Sequence, residues 1–282
     1  MRPTIVLYAM QHGIPGWLVP NYFILVGLSS LLAFFVVMRQ TQRDGADAYW
    51  QSRGLICIYL GALAGGYLVE SLRMVPVAVM TGSLQPILRA GRSAYGGLLT
   101  AILCSSIYMR LNGQSVAAFL DRTAVGGGIV FCFVRTGCFL AGCDYGMPTS
   151  SRLGVRFPSG SLAAIDHAQH GFVPEGFPSL PVHPTQLYEA GVGLLAALVA
   201  FLVLRTRAAR DGAAILSFLA LYAGSRFSIE LLRGDAARGI YFGLSTAQYI
   251  SLGILLGCAL GLRGLRHDQD RTVRAACERA AA

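Results

Sequence analysis

Seven apolar stretches, near residues 17–38, 54–74, 94–111, 116–140, 186–204, 213–232 and 245–262, limit what this chain can fold into more than any other feature. A helix needs about 20 apolar residues to cross the hydrocarbon core of a bilayer, and each stretch is that long or nearly so. The expected fold class is therefore all-α, a polytopic membrane protein of about seven transmembrane helices. Only 13% of the residues are charged, against roughly 25% in a soluble domain. One membrane domain over 1–282 is the simplest organisation, with a mixed-charge tail at 263–282. The N-terminal residues offer no cleavage site of secretory type, so no cleavable signal is expected.

All 23 basic residues are Arg and the net charge is +9. Nucleic-acid binding is not the reading, because the arginines cluster in linkers. Arg39, Arg43 and Arg53 follow the first stretch and Arg110 the third. Arg205, Arg207 and Arg210 follow the fifth, and Arg263, Arg266, Arg271, Arg274 and Arg279 the seventh. Cytoplasmic loops collect Lys and Arg, which puts the N-terminus outside and the C-terminal tail in the cytoplasm. The opposite side carries two long connections, 75–93 and 144–185, and loops of that length are usually functional. Cys57, Cys104, Cys132 and Cys258 lie in apolar runs, where Cys behaves as a small hydrophobe.

Asp121, Arg122, Arg135, Glu189, Arg226, Glu230 and Arg233 fall within or beside these runs. A charge at the centre of a membrane helix costs about 2.5–3.5 kcal/mol, so such residues face a polar chamber or pair across helices. Spacings of four and three put Arg226, Glu230 and Arg233 along one helical face, with Glu230 between two guanidiniums. Two planar, permanently charged donors suit a phosphate, and a phospholipid headgroup is the anion at hand. Gly65-Gly66, Gly96-Gly97 and Gly126-Gly127-Gly128 allow close helix packing or leave room for an acyl chain.

Three segments carry a resemblance: R-T-G-C-F-L-A-G-C-D-Y-G at 135–146, H-P-T-Q-L-Y-E at 183–189 and R-F-S-I-E-L-L-R at 226–233. With Tyr22 and Tyr95-Gly96-Gly97-Leu98 in the same order, the chain resembles the prolipoprotein diacylglyceryl transferase family from about residue 17 to 260. That resemblance implies a bacterial inner-membrane enzyme that moves diacylglyceryl from phosphatidylglycerol to the lipobox Cys thiol of a preprolipoprotein, with no metal or organic cofactor. Its partners would be phosphatidylglycerol, membrane lipid and signal-peptide substrates, and its outer loops would form a head over the site. Arg135 and Arg226 match the family's essential arginines and are assigned to the phosphate. Tyr22, Gly96, Gly97, Gly137, Gly146, Glu189, Glu230 and Arg233 are expected to line the substrate site.

The chain departs from the family's pattern in two places. Tyr95 stands where the family usually has His, and Cys138 and Cys143 stand where its best-known members have Asn and Glu. A phenol with a pKa near 10 is a poor base, so His183, Asp144 and Glu189 join Tyr95 as candidates for activating the thiol. Cys138 and Cys143 read as packed small residues, a reversible disulfide or, least of all, a metal site. Two rival functions follow: a paralogue with another acceptor, and a non-catalytic phospholipid-binding membrane protein.

Overall fold

The structure, a computed structural model, describes residues 22–88, 94–206, 211–234 and 240–281; the side chains of 22–23, 94–95, 240–241 and 266–281 fall outside that description. Residues 17–21, Arg207, Arg210 and the side chains of Tyr22 and Tyr95 therefore lie outside the described parts.

The described chain is almost entirely helical. In order it forms α1 (Tyr22–Arg43), α2 (Ala48–Thr81), the single turn α3 (Gln85–Leu88), α4 (Ala94–Leu111) and α5 (Val116–Ala141). Then come α6 (Leu162–Gln169), α7 (Thr185–Arg205), α8 (Ala213–Glu230), a hairpin of β1 (Ile240–Tyr241) and β2 (Leu244–Ser245), and α9 (Thr246–Ala281). Five helical segments are long and apolar enough to cross a membrane: 24–43, 48–81, 116–141, 185–205 and 246–265. The other two apolar stretches become α4 and α8, of 18 residues each. At 1.5 Å per residue those measure about 27 Å, just short of a hydrocarbon core of about 30 Å. Leu28, Leu60, Leu68, Leu198, Leu202 and Leu256 point outward, as lipid permits and water does not. The protein is a polytopic helical membrane protein.

The connection expected from residue 75 starts later, because α2 continues through Pro76 to Thr81. Its N-terminus is capped by Asp47, which accepts from the Tyr49 N–H, and its C-terminus by Gly82 in the left-handed region.

Two compact units divide the chain, Phe34–Thr123 and the remainder, Met1–Ala33 with Ala124–Ala282. Within the first, α2 packs against α4 through glycines. A Cβ on Gly65 would lie 2.2 Å from Thr100 Oγ1, one on Gly96 2.6 Å from Val69 Cβ, and one on Gly97 2.9 Å from the Ala62 carbonyl. Small residues let the two backbones approach, and no larger side chain fits. Arg122 donates through Nε to Gln51 Oε1 at 2.9 Å, which gives this in-span charge a buried polar partner.

Within the second unit, α8 packs against α7 and α9, and α5 meets α7 where a Cβ on Gly128 would strike the Gly193 carbonyl at 2.5 Å. The connection from α5 to α7 closes around Tyr145, Phe157, Ala163 and Val182, with Phe139 against them. Ser161 caps α6 by accepting from the Ala164 N–H.

Candidate functional site: a buried chain of alternating charges

The site is built where α5 stops. Gly142, at φ +71°, lets the chain leave the helix in the left-handed region, and Asp144 follows at φ +56°, which Asp tolerates better than most residues. From there residues 145–149 run between two other segments of chain. On one side Gly146 N donates to the His183 carbonyl at 2.9 Å, and His183 N to the Met147 carbonyl at 3.1 Å. On the other, Met147 N donates to the Leu232 carbonyl at 2.8 Å. Gly146 sits at the crossing, where a Cβ would lie 2.7 Å from His183 Cβ and 2.8 Å from the Leu232 carbonyl.

The H-P-T-Q-L-Y-E segment locks this arrangement. Thr185 Oγ1 donates to the Asp144 carbonyl at 2.8 Å, and Gln186 Nε2 to the Cys143 carbonyl at 2.6 Å. One turn further along α7, Glu189 reaches into the interior. Thr185 and Gln186 were not among the sequence candidates, although both are fully buried polar residues directly after Pro184, inside a motif already singled out. His183 is half-buried, with Nδ1 3.3 Å from the Tyr188 hydroxyl.

Six of the predicted charges then meet in one alternating series. Arg226 pairs with Glu230 one turn on, and its Nη1 lies 3.5 Å from Glu189 Oε1. Glu189 Oε2 lies 2.5 Å from Arg135 Nε, and Arg135 Nη1 lies 3.0 Å from Asp144 Oδ2. Asp144 Oδ1 takes Arg233 Nη2 at 2.9 Å. The side chains of Glu189 and Glu230 are 3% exposed and that of Arg226 9%, so water screens little of that half of the series, whereas the Asp144 side chain at the other end is 36% exposed. Arg135 also lies over the Phe131 ring, 5.2 Å from its centroid. Burial alone would push the Asp144 carboxyl up, but Arg233 and Arg135 together hold it below the usual carboxylate range.

Arg233 arrives by a route different from the one its spacing suggests. α8 ends at Glu230, and Arg233 sits beyond it in a bridge with Gly146. Pairing with residues 145–147 takes the backbone out of the helix there, and the guanidinium meets Asp144. Gly137 is buried in α5, two residues past Arg135. Gly96 and Gly97 belong to the other unit, where they serve the α2–α4 contact, and Asp121 is buried in the part of α5 that belongs to that unit.

Cys138 Sγ, Cys143 Sγ and an Asp144 oxygen all lie within 4.8 Å of one another, the one group among the described residues that could hold a metal ion. Asp144 is already taken by two guanidiniums, however, and two sulfurs do not make up a four-ligand zinc site.

A multi-span helical membrane protein whose interior holds three guanidiniums and three carboxylates in alternation is the class that fold and site define. The sequence pattern described as Prolipoprotein diacylglyceryl transferase matches residues 11–263, and the chain belongs to that family. The phosphatidylglycerol–prolipoprotein diacylglyceryl transferase of Clostridium tetani is 27% identical over 238 residues, covering 84% of this chain and 89% of the relative. The phosphatidylglycerol–prolipoprotein diacylglyceryl transferase 2 of Clostridium perfringens is 28% identical over 246 residues, 86% and 89% of the two chains. The transferase of the same name from Azotobacter vinelandii is 33% identical over 208 residues, 72% of each.

Proposed function

We propose that this protein transfers diacylglyceryl from phosphatidylglycerol to the lipobox cysteine thiol of preprolipoproteins, with Arg135 and Arg226 binding the phosphate. The observation that carries the reading is the shared carboxylate of Glu189, which sets two arginines from two helices beside each other in a buried site. In the reaction the thiol sulfur forms a bond to the glycerol carbon, the bond from that carbon to the phosphate oxygen breaks, and glycerol phosphate leaves. Negative charge grows on the departing phosphate, and fixed donors in a dry site stabilise it without having to reorganise.

The carboxylates do not exhaust those donors. Among the described contacts Arg135 donates through Nη1 to Asp144 and sets Nε against Glu189 as an ion pair without hydrogen-bond geometry, and Arg226 uses Nη1, so Arg135 Nη2 and Arg226 Nε and Nη2 remain for phosphate oxygens. Glu189, Glu230 and Asp144 orient the forks, while Phe131 backs one of them. Asp144 suits this role better than that of base, since a carboxyl held below its usual range binds a proton weakly. His183 and Tyr95 are the remaining candidates for taking the thiol proton. Tyr22, Gly137, Gly146 and Arg233 complete the proposed substrate site.

We further read the chain as one membrane domain with seven spans, α4 and α8 included, in the bacterial inner membrane. The arginine-rich linkers support an outer N-terminus, an outer site and a cytoplasmic tail from Arg263. The test is transfer of labelled diacylglyceryl from phosphatidylglycerol vesicles to a lipobox peptide by the purified protein. Product formation that falls in His183→Ala supports His183 as base, and a rise in Tyr95→His supports activation mainly by the arginine field. Phosphatidylglycerol binding without product would make this a lipid-binding protein and overturn the proposal.

A further inference from the structure

Cys138 and Cys143 stand five residues apart because of how α5 ends. Cys143 N donates to the Cys138 carbonyl at 3.2 Å, Gly142 N donates to the Phe139 carbonyl at 3.1 Å, and Gly142 is left-handed at φ +71°. This is the Schellman motif, which brings the side chain of the second residue past the helix back against one in its last turn. That contact is ordinarily apolar. Here both partners are cysteines, with sulfurs within 4.8 Å of each other.

We propose that Cys138 and Cys143 form a redox-active dithiol that closes to a disulfide beside the Arg135–Asp144 ion pair. A disulfide needs Cα atoms about 4.4–6.8 Å apart, and the cap ties the two backbones together by a hydrogen bond while the sulfurs stand within 4.8 Å, which leaves side-chain rotation to close the gap. The two thiols differ in access. Cys143 is half-buried, whereas Cys138 is 8% exposed. Cys143, outside the span, is also held below the ordinary thiol range by its hydrogen bond with Cys138, against the burial that would raise it.

With a small-molecule disulfide as oxidant, the Cys143 thiolate attacks one sulfur of it and expels the other half as a thiolate. Cys138 then attacks Cys143 in the mixed disulfide and expels the second half, its proton passing to a departing thiolate. Two protein thiols lose two electrons and two protons, and one disulfide becomes two thiols. The closed bridge fixes the backbone that leads into Asp144 and removes an acidic thiol from beside Arg135.

The experiment uses the full chain purified in detergent and equilibrated with reduced or oxidised glutathione, then alkylated, denatured and digested with trypsin. Cleavage after Arg135 and Arg152 isolates the peptide Thr136–Arg152, which contains Cys138 and Cys143 and no other cysteine. The reduced sample should carry two alkyl groups on this peptide; the oxidised sample should carry none, be lighter by two hydrogens and revert on reduction. In Cys138→Ser the oxidant should remain attached to Cys143, and in Cys143→Ser residue Cys138 should stay alkylatable. Two alkyl groups after oxidation would overturn the proposal, as would protection of the reduced peptide that a chelator removes, which would mean a bound metal. Because the readout is peptide mass, it stands or falls independently of transferase activity.

Discussion

Replacing Glu189 with Gln tests whether the alternating charges form a buried network. Glu189 faces Arg135 at 2.5 Å and Arg226 at 3.5 Å, and at an effective dielectric of about 20 these contacts amount to roughly 7 and 5 kcal/mol of gross attraction. Those sums overstate the loss, because an amide no longer needs the several kcal/mol spent on desolvating a carboxylate. Arg135 also keeps Asp144, and Arg226 keeps Glu230. What remains is two guanidiniums, 16% and 9% exposed, with two carboxylates besides Arg233 where there had been three. Removing one partner from a buried pair costs about 3–5 kcal/mol, and the isosteric amide should put Glu189→Gln near the lower end. The assay is reversible unfolding by SDS in mixed micelles. Glu175→Gln, on an exposed loop, serves as a control that should stay within about 0.5 kcal/mol of wild type. A loss below about 1 kcal/mol for Glu189→Gln would mean the series behaves like screened surface pairs, and the burial argument would be wrong.

Arg135→Lys and Arg226→Lys should each remove most transfer while the protein still inserts, since Lys keeps the charge and loses the fork that meets carboxylate and phosphate together. Arg152→Lys and Arg156→Lys should be tolerated better, and equal losses at all four would point to general surface charge. Asp144 has a depressed carboxyl in the folded state, so its contribution to stability is complete above the ordinary carboxyl pKa of about 3.9 and disappears as pH falls from there through its lower folded value. Unfolding measured across that acid range should show a slope that Asp144→Asn reduces; identical slopes would remove Asp144 from the network. Reporter fusions at Arg43, Arg207 and Ala282 should read cytoplasmic and one at Gly176 external, and an external reading at Arg207 would invert the topology.

Much of this protein is legible along the chain, because the bilayer imposes a local rule. A run of about 20 apolar residues is helical in lipid whatever its neighbours are, so the apolar helices and the arginine-rich linkers can be read residue by residue, while the partners of the glycines cannot. Arg135, Glu189, Arg226, Glu230 and Arg233 could also be picked out, since a charge within or beside an apolar run is costly, whereas Asp144 entered only through the resemblance. Their partners could not. Arg135 and Glu189 are 54 positions apart and Asp144 and Arg233 are 89 apart, and which carboxylate meets which guanidinium depends on helix rotation and on where α8 ends. Helical spacing alone put Arg233 on the face of Glu230. The backbone pairing of residues 145–147 with 232–234 also brings it to Asp144, because hydrogen bonds left unmade at the end of α8 are satisfied by another segment. The five-residue interval between Cys138 and Cys143 was visible from the start, but only the left-handed turn at Gly142 folds that interval back on itself and makes the two sulfurs neighbours.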